Sequence, residues 1–254
     1  MNIKRNMRSS AVVLLLVGFF GAGDAWADKR GEELMACVDK NPARSKDQYF
    51  VYDMIIADPG QSKPLVLGMK VWIKDGMRLV HFISPADVKG MKILSRSRAQ
   101  MYVYLKGYNR IRRITSHMKR QTLFGADYNY DDQMTLRYGD LYLADYTGEE
   151  GEIYKLKMKR RPGSDAVYGA IEMKIRKKDC YPLEMRYLDE KGRHLKTETR
   201  SSYTCQANNI CEPTELKMVS HVRNNHWTKI VRKEWKVNSG LSKRLFTRRA
   251  LQRN

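Results

Sequence analysis

The chain has 254 residues, with 48 Lys and Arg against 28 Asp and Glu, giving a net charge of +20. That length supports one sizeable core, which all-β domains often keep undivided. The positive field draws polyanions, and no stretch beyond residue 27 is apolar enough to span a bilayer, which excludes a helical membrane-embedded body.

The first residues carry Lys4, Arg5 and Arg8, and an apolar run of 12 residues follows from Ala11 to Ala22. A spanning helix needs about 20. With Ala25-Trp26-Ala27 after it, the pattern is that of a secretory signal peptide over residues 1–27. No Cys follows the expected cut, so the bacterial lipid-attachment pattern is missing. The mature chain, 28–254, is expected to be one exported, soluble domain. Removing Lys4, Arg5, Arg8 and Asp24 takes the net charge from +20 to +18. Export disfavours nucleic acid as the partner of that charge and favours anionic envelope lipids.

Lys29 to Lys40 reads as a helix that stops at Asn41-Pro42, because the residue before proline avoids helix. From there the dominant period is two. Leu67, Met69, Val71 and Ile73 alternate with Gly68, Lys70 and Trp72. Met101, Val103 and Leu105 alternate with Gln100, Tyr102 and Tyr104, and Lys196, Glu198 and Arg200 with Leu195, Thr197 and Thr199. Such runs predict strands with one face inside and one wet. Asp75-Gly76, Asp189 to Gly192 and Asn224-Asn225 divide neighbouring runs as hairpin turns. Many hairpins in series predict one antiparallel sheet, curled or closed. Ser242 to Gln252 is a short basic end segment, helix or tail strand.

Four cysteines in an exported chain allow three disulfide pairings. Local closure of Cys205 with Cys211 is the most economical and leaves Cys37 with Cys180. Zinc spacing is missing. So are the H-E-x-x-H, G-x-S-x-G and phosphate-loop motifs, and the five His are scattered. Asp127, Asn129 and Asp131 alternate like calcium-loop ligands. Asp132 and Tyr138 stand where that loop requires Gly and Glu, so no metal site is expected. Neither a catalytic residue nor a cofactor is expected.

The stretch from Phe82 to Ser95 is "FISPADVKGMKILS", followed by "AQMYVYLKGYNRIRRIT" to Thr115 and "TLFGADYNYDDQ" from Thr122 to Gln133. This order resembles the outer-membrane lipoprotein-sorting protein family, related in fold to the periplasmic lipoprotein carrier LolA. Pro85, Lys89, Gly90, Arg110, Arg112, Arg113, Phe124, Gly125, Asp127, Tyr130 and Asp132 fall on matching positions. Lys106, Ala126 and Asp131 depart from it, standing where the pattern has Pro, Ser and Glu. The resemblance implies a mainly β, strongly curved antiparallel half-barrel with a few covering helices. It also implies a periplasmic, non-enzymatic carrier binding the acyl chains of a lipid or lipoprotein. Some members work beside an RND-type membrane transporter.

On that basis Leu67, Met69, Val71, Ile73, Met101, Val103 and Leu105 are expected to line an apolar cavity. Trp227, Val231 and Trp235 are expected to form a second stripe along it. Methionine suits such a surface because it adapts to irregular ligands, and 12 of the 14 Met lie beyond residue 27. The competing reading is a filled core on a non-catalytic periplasmic scaffold that binds the anionic envelope through its charge. The acidic stretch is expected to neutralise its neighbours, with Asp127, Asp131 or Asp132 beside Arg110, Arg112 or Arg113.

Overall fold

The computed structural model describes residues 28–58, 62–206 and 209–253. The expected signal peptide, 1–27, lies outside them. Thirteen strands form one antiparallel sheet among the described residues. The first wing holds β1 (Asp47–Ala57), β2 (Leu65–Lys74), β3 (Met77–Ser84), β4 (Lys92–Ser97), β5 (Gln100–Leu105) and β6 (Arg110–Arg113). The second holds β7 (Tyr142–Glu150), β8 (Ile153–Arg160), β9 (Ala170–Arg176), β10 (Pro182–Leu188), β11 (His194–Gln206), β12 (Ile210–Ser220) and β13 (Trp227–Val237). Their order is β6-β5-β4-β3-β2-β1-β13-β12-β11-β10-β9-β8-β7, so the wings join where β1 pairs with β13. β6 and β7 end the sheet unpaired with each other, which leaves a curved half-barrel and not a closed barrel.

Turn chemistry sets the hairpins. Asp75 and Gly76 both take positive φ (49° and 73°), as do Asn224 and Asn225 (48° and 57°). Two such residues give the twist that a tight antiparallel hairpin requires. In β13 the register slips by one residue opposite Val51 and Tyr52, which face Glu234 and Arg232. Lys233 is the extra residue of a bulge.

The chain between β6 and β7 lies across the concave face and supplies Ile114, Leu123, Tyr128 and Met134 to the core. It contains α2 (Ser116–Lys119) and α3 (Tyr130–Met134). Below it, Phe50, Met54, Leu67 and Phe82 of the first wing meet Leu156, Met158, Met173 and Met185 of the second. Arg98, in the turn after β4, ties the parts together through Asp131 (2.7 Å) and Asp165 (2.9 Å) of the loop after β8. Lys119 also reaches Asp165.

α1 (Lys29–Lys40) takes the segment expected of it and buries Leu34, Met35 and Val38. It docks on the sheet end at β7. Glu32 accepts the Ala144 backbone N–H at 2.7 Å, and Asp28 accepts that of Tyr146 at 3.2 Å. Gly31 allows this approach, since a Cβ there would stand 2.2 Å from the Ala144 carbonyl oxygen. The C-terminal segment forms a 3-10 turn, Lys243–Phe246, and α4 (Arg248–Leu251). Phe246 and Leu251 cover Leu79, Leu94 and Tyr104 on the convex face. The disulfides Cys37–Cys180 and Cys205–Cys211 are both present, the pairing that local closure favours. No helix of the described residues is long and apolar enough to cross a membrane.

Candidate functional site

Between the concave face and the covering chain lies a cavity of about 150 Å³. It adjoins a wider recess of about 700 Å³, with which it shares Asp39, Pro42, Ile73, Thr135 and Leu136. The recess is the mouth, and Lys74, Arg96, Arg98 and Arg137 border it.

The expected lining residues divide. Leu67, Met69, Val71, Ile73, Met101 and Val103 are all buried in the main core. Met69, Val71 and Ile73 border the cavity, whereas Leu67, Met101 and Val103 belong to the filled part of the core. Leu105 is half-buried against it. Trp235 faces inward, stacks on Phe50 with ring centres 6.3 Å apart, and donates Nε1–H to Gln48 at 3.0 Å. Trp227 and Val231 do not share that face. The inward residues there are Thr228 and Ile230, and only the bulge at Lys233 brings Trp235 inside. A stripe read at constant period fails where a strand gains one residue.

The cavity is also not apolar throughout. Lys196, Glu198 and Arg200 of β11 form the inward face of their strand, with Lys196 and Glu198 8% and 3% exposed. They turn inward because partners await them. Lys196 Nζ donates to the Asp127 carbonyl at 2.8 Å and to Asp132 Oδ2 at 2.5 Å. Arg200 Nε donates to Glu198 Oε1 at 2.6 Å. Arg78 and Glu212 line the same cavity as Glu198 and Arg200. Burial pushes the Arg78 guanidinium below its ordinary value, with Tyr52 and Glu212 opposing the shift. Burial raises the Glu212 carboxyl, against the pull of Arg200 and Arg78. Burial likewise holds Tyr138 as a neutral phenol, its pKa pushed up to about 12.

The acidic stretch does neutralise cations, though not the expected ones. Asp127 has a fully buried side chain that receives His226 Nδ1 at 2.7 Å, Thr228 Oγ1 at 2.9 Å and Arg223 at 3.1 Å. Asp131 meets Arg98, and Asp132 meets Lys196. Asp132 also accepts the Tyr168 hydroxyl at 2.8 Å and completes a capping box with Asn129 at the start of α3. Arg110, Arg112 and Arg113 instead lie exposed on β6. Among the described residues no group of three His, Cys, Asp or Glu is placed to hold a metal.

A family model described as "Uncharacterized protein" matches residues 74–253. The chain belongs to that family. Among solved structures, a DUF1329 family protein from Desulfovibrio piger superposes with a TM-score of 0.80 at 26% identity. That likeness covers 89% of this chain and 99% of the other. An outer membrane lipoprotein-sorting protein domain from Vibrio parahaemolyticus gives 0.77 at 20%, covering 87% and 99%. A LolA superfamily protein from Nitrosomonas europaea gives 0.72 at 15%, covering 87% and 98%. No curated protein matches the chain. The fold is therefore LolA-like, as the motif residues imply. In this family member Pro85, Lys89 and Gly90 form the loop from β3 to β4. Phe124 and Gly125 form the positive-φ turn (53° and 79°) that delivers Asp127 to its buried site, while Tyr130 opens α3.

Proposed function

We propose that the chain is a periplasmic, non-enzymatic carrier that holds the hydrophobic part of a lipid or lipoprotein beneath its curved sheet. One observation carries this reading: the covering chain leaves a cavity, with Met69, Val71 and Ile73 on one wall, that continues into a mouth. The LolA-like fold supports it. Each CH₂ removed from water contributes about 0.8 kcal/mol, so even a partly inserted acyl chain gains useful affinity. The positive surplus favours approach to anionic envelope lipids. Export through residues 1–27 and an RND-type transporter partner belong to the same proposal, the latter resting on the family resemblance alone.

The scaffold reading has its own support, since Leu67, Met101 and Val103 are at most 2% exposed and much of the concave face is filled. Lipids extracted from protein purified out of a bacterial envelope, identified by mass spectrometry, separate the two. Ile73→Trp is the matching variant, because Ile73 borders both cavity and mouth. It is expected to lower acyl-probe binding at least about tenfold by occlusion while the protein stays folded. Wild-type protein that neither retains nor exchanges lipid from envelope extracts establishes the scaffold reading.

A further inference from the structure

The cavity contains a cation with no close ion pair. Arg78, near the start of β3, donates one terminal N–H to the Gln133 carbonyl of α3. Its Nε is buried and has no acceptor. No carboxylate lies within 4.0 Å of its nitrogens among the described residues, although Glu198, Glu212 and Asp132 line the same cavity. Two of those acids are engaged and the third acts on Arg78 only at longer range. Glu198 holds Arg200, Asp132 holds Lys196, and Glu212 makes no ion pair with Arg78. One more polar atom on the cavity wall lacks a partner, Asn41 Oδ1. A buried cation is costly unless something pairs with it. The unused edge of a guanidinium is a two-pronged donor matched to a carboxylate.

We propose that Arg78 anchors a carboxylate-bearing amphiphile, with the acid group innermost and the tail passing Val71 and Ile73 into the mouth. The cavity accommodates such a head: about 150 Å³ is the size of a protein cavity that takes up one benzene ring. A single planar acid matches one free guanidinium edge. This inference rests on the carrier reading and specifies its cargo as an ionised acid, where acyl binding alone requires no charge.

The test uses delipidated exported protein and three probes with the same tail: hexadecanoate, hexadecanol and hexadecyl phosphate. Wild-type protein is expected to bind hexadecanoate at least about tenfold more tightly than hexadecanol, the scale of one charge-assisted bidentate contact. Arg78→Gln is expected to bring that ratio near one while hexadecanol binding persists, and Arg78→Lys to restore part of it. Hexadecanol binding without acid preference overturns the anchor, leaves the carrier reading standing, and assigns water to the polar wall. A preference that survives Arg78→Gln also overturns the anchor, as does a preference for the phosphate. Failure of every probe to bind wild-type protein overturns both readings. A measurement on wild type alone guards against a misfolded variant. The carboxyl ¹³C resonance of bound, labelled hexadecanoate is expected to stay at its ionised position at a pH where free acid protonates. A resonance that titrates like free acid overturns the proposal.

Discussion

Single residues carry pairings that sequence distance hides. The three acids between Phe124 and Gln133 are legible as counter-charges because they interrupt a basic chain. Their partners are not legible. Arg110, Arg112 and Arg113 are near in sequence, but they lie exposed on β6. Lys196 and Arg223, 64 and 96 residues away from the acids they meet, arrive only through the fold. Asp47 is a case with no sequence signal at all. Its carboxylate accepts the backbone N–H of Ser239 at 2.8 Å and of Leu241 at 3.0 Å, with Lys74 at 3.6 Å. Burial alone would raise its pKa, but these hydrogen bonds and Lys74 together lower it below 3.8. A carboxyl depressed in the folded state adds stability above its unfolded pKa, and that stability is lost as pH falls through the folded value. Asp47→Asn is therefore expected to cost about 2 kcal/mol at pH 7. The gap in melting temperature from wild type should narrow as pH drops below 3.8. A gap that stays constant from pH 7 to pH 3 would count against the linkage.

At the scale of elements, α1 and the hairpin turns follow from local chemistry. Asn41-Pro42 ends the helix, and Asp75-Gly76 and Asn224-Asn225 accept the backbone that tight turns demand. Two features resist such reading. The inward charges of β11 break the rule that the charged face is wet, because Asp132 and the Asp127 carbonyl receive Lys196 inside. The Lys233 bulge inverts the facing of Trp235 relative to Trp227 and Val231. Helix docking gives the sharper test. On a free helix Gly31→Ala would stabilise by about 1 kcal/mol. Here the added Cβ meets the Ala144 carbonyl oxygen at 2.2 Å, so α1 must shift. The expected result is a loss of about 1–3 kcal/mol, with faster hydrogen exchange at the Ala144 amide as its bond to Glu32 weakens. Unchanged exchange would show that the contact is compliant.

For the whole molecule, alternation makes one antiparallel sheet legible, and the motif resemblance supplies its curvature. The pairing of β1 with β13, which joins the wings, has no local signal because no hairpin connects those strands. Two bridges then restrain the chain unequally. Cys37–Cys180 closes 143 residues and Cys205–Cys211 only 6. Loop-closure entropy gives about 5 kcal/mol for the first and about 2 kcal/mol for the second. Denaturant melts of the two paired Cys→Ser variants should rank in that order, and the reverse order would mean that the short bridge acts through the native state.

An open sheet also has two ends, and each backbone edge is a template on which another chain could polymerise. At β7 the carboxylates of Asp28 and Glu32 occupy outward N–H groups that a newcomer strand would need. At β6 the barrier is electrostatic: Arg110, Arg112 and Arg113 face water, so two copies meeting there bring like charges together. The motif arginines thus place like charge along the one sheet end that no carboxylate among the described residues caps, an edge that a closed barrel does not have.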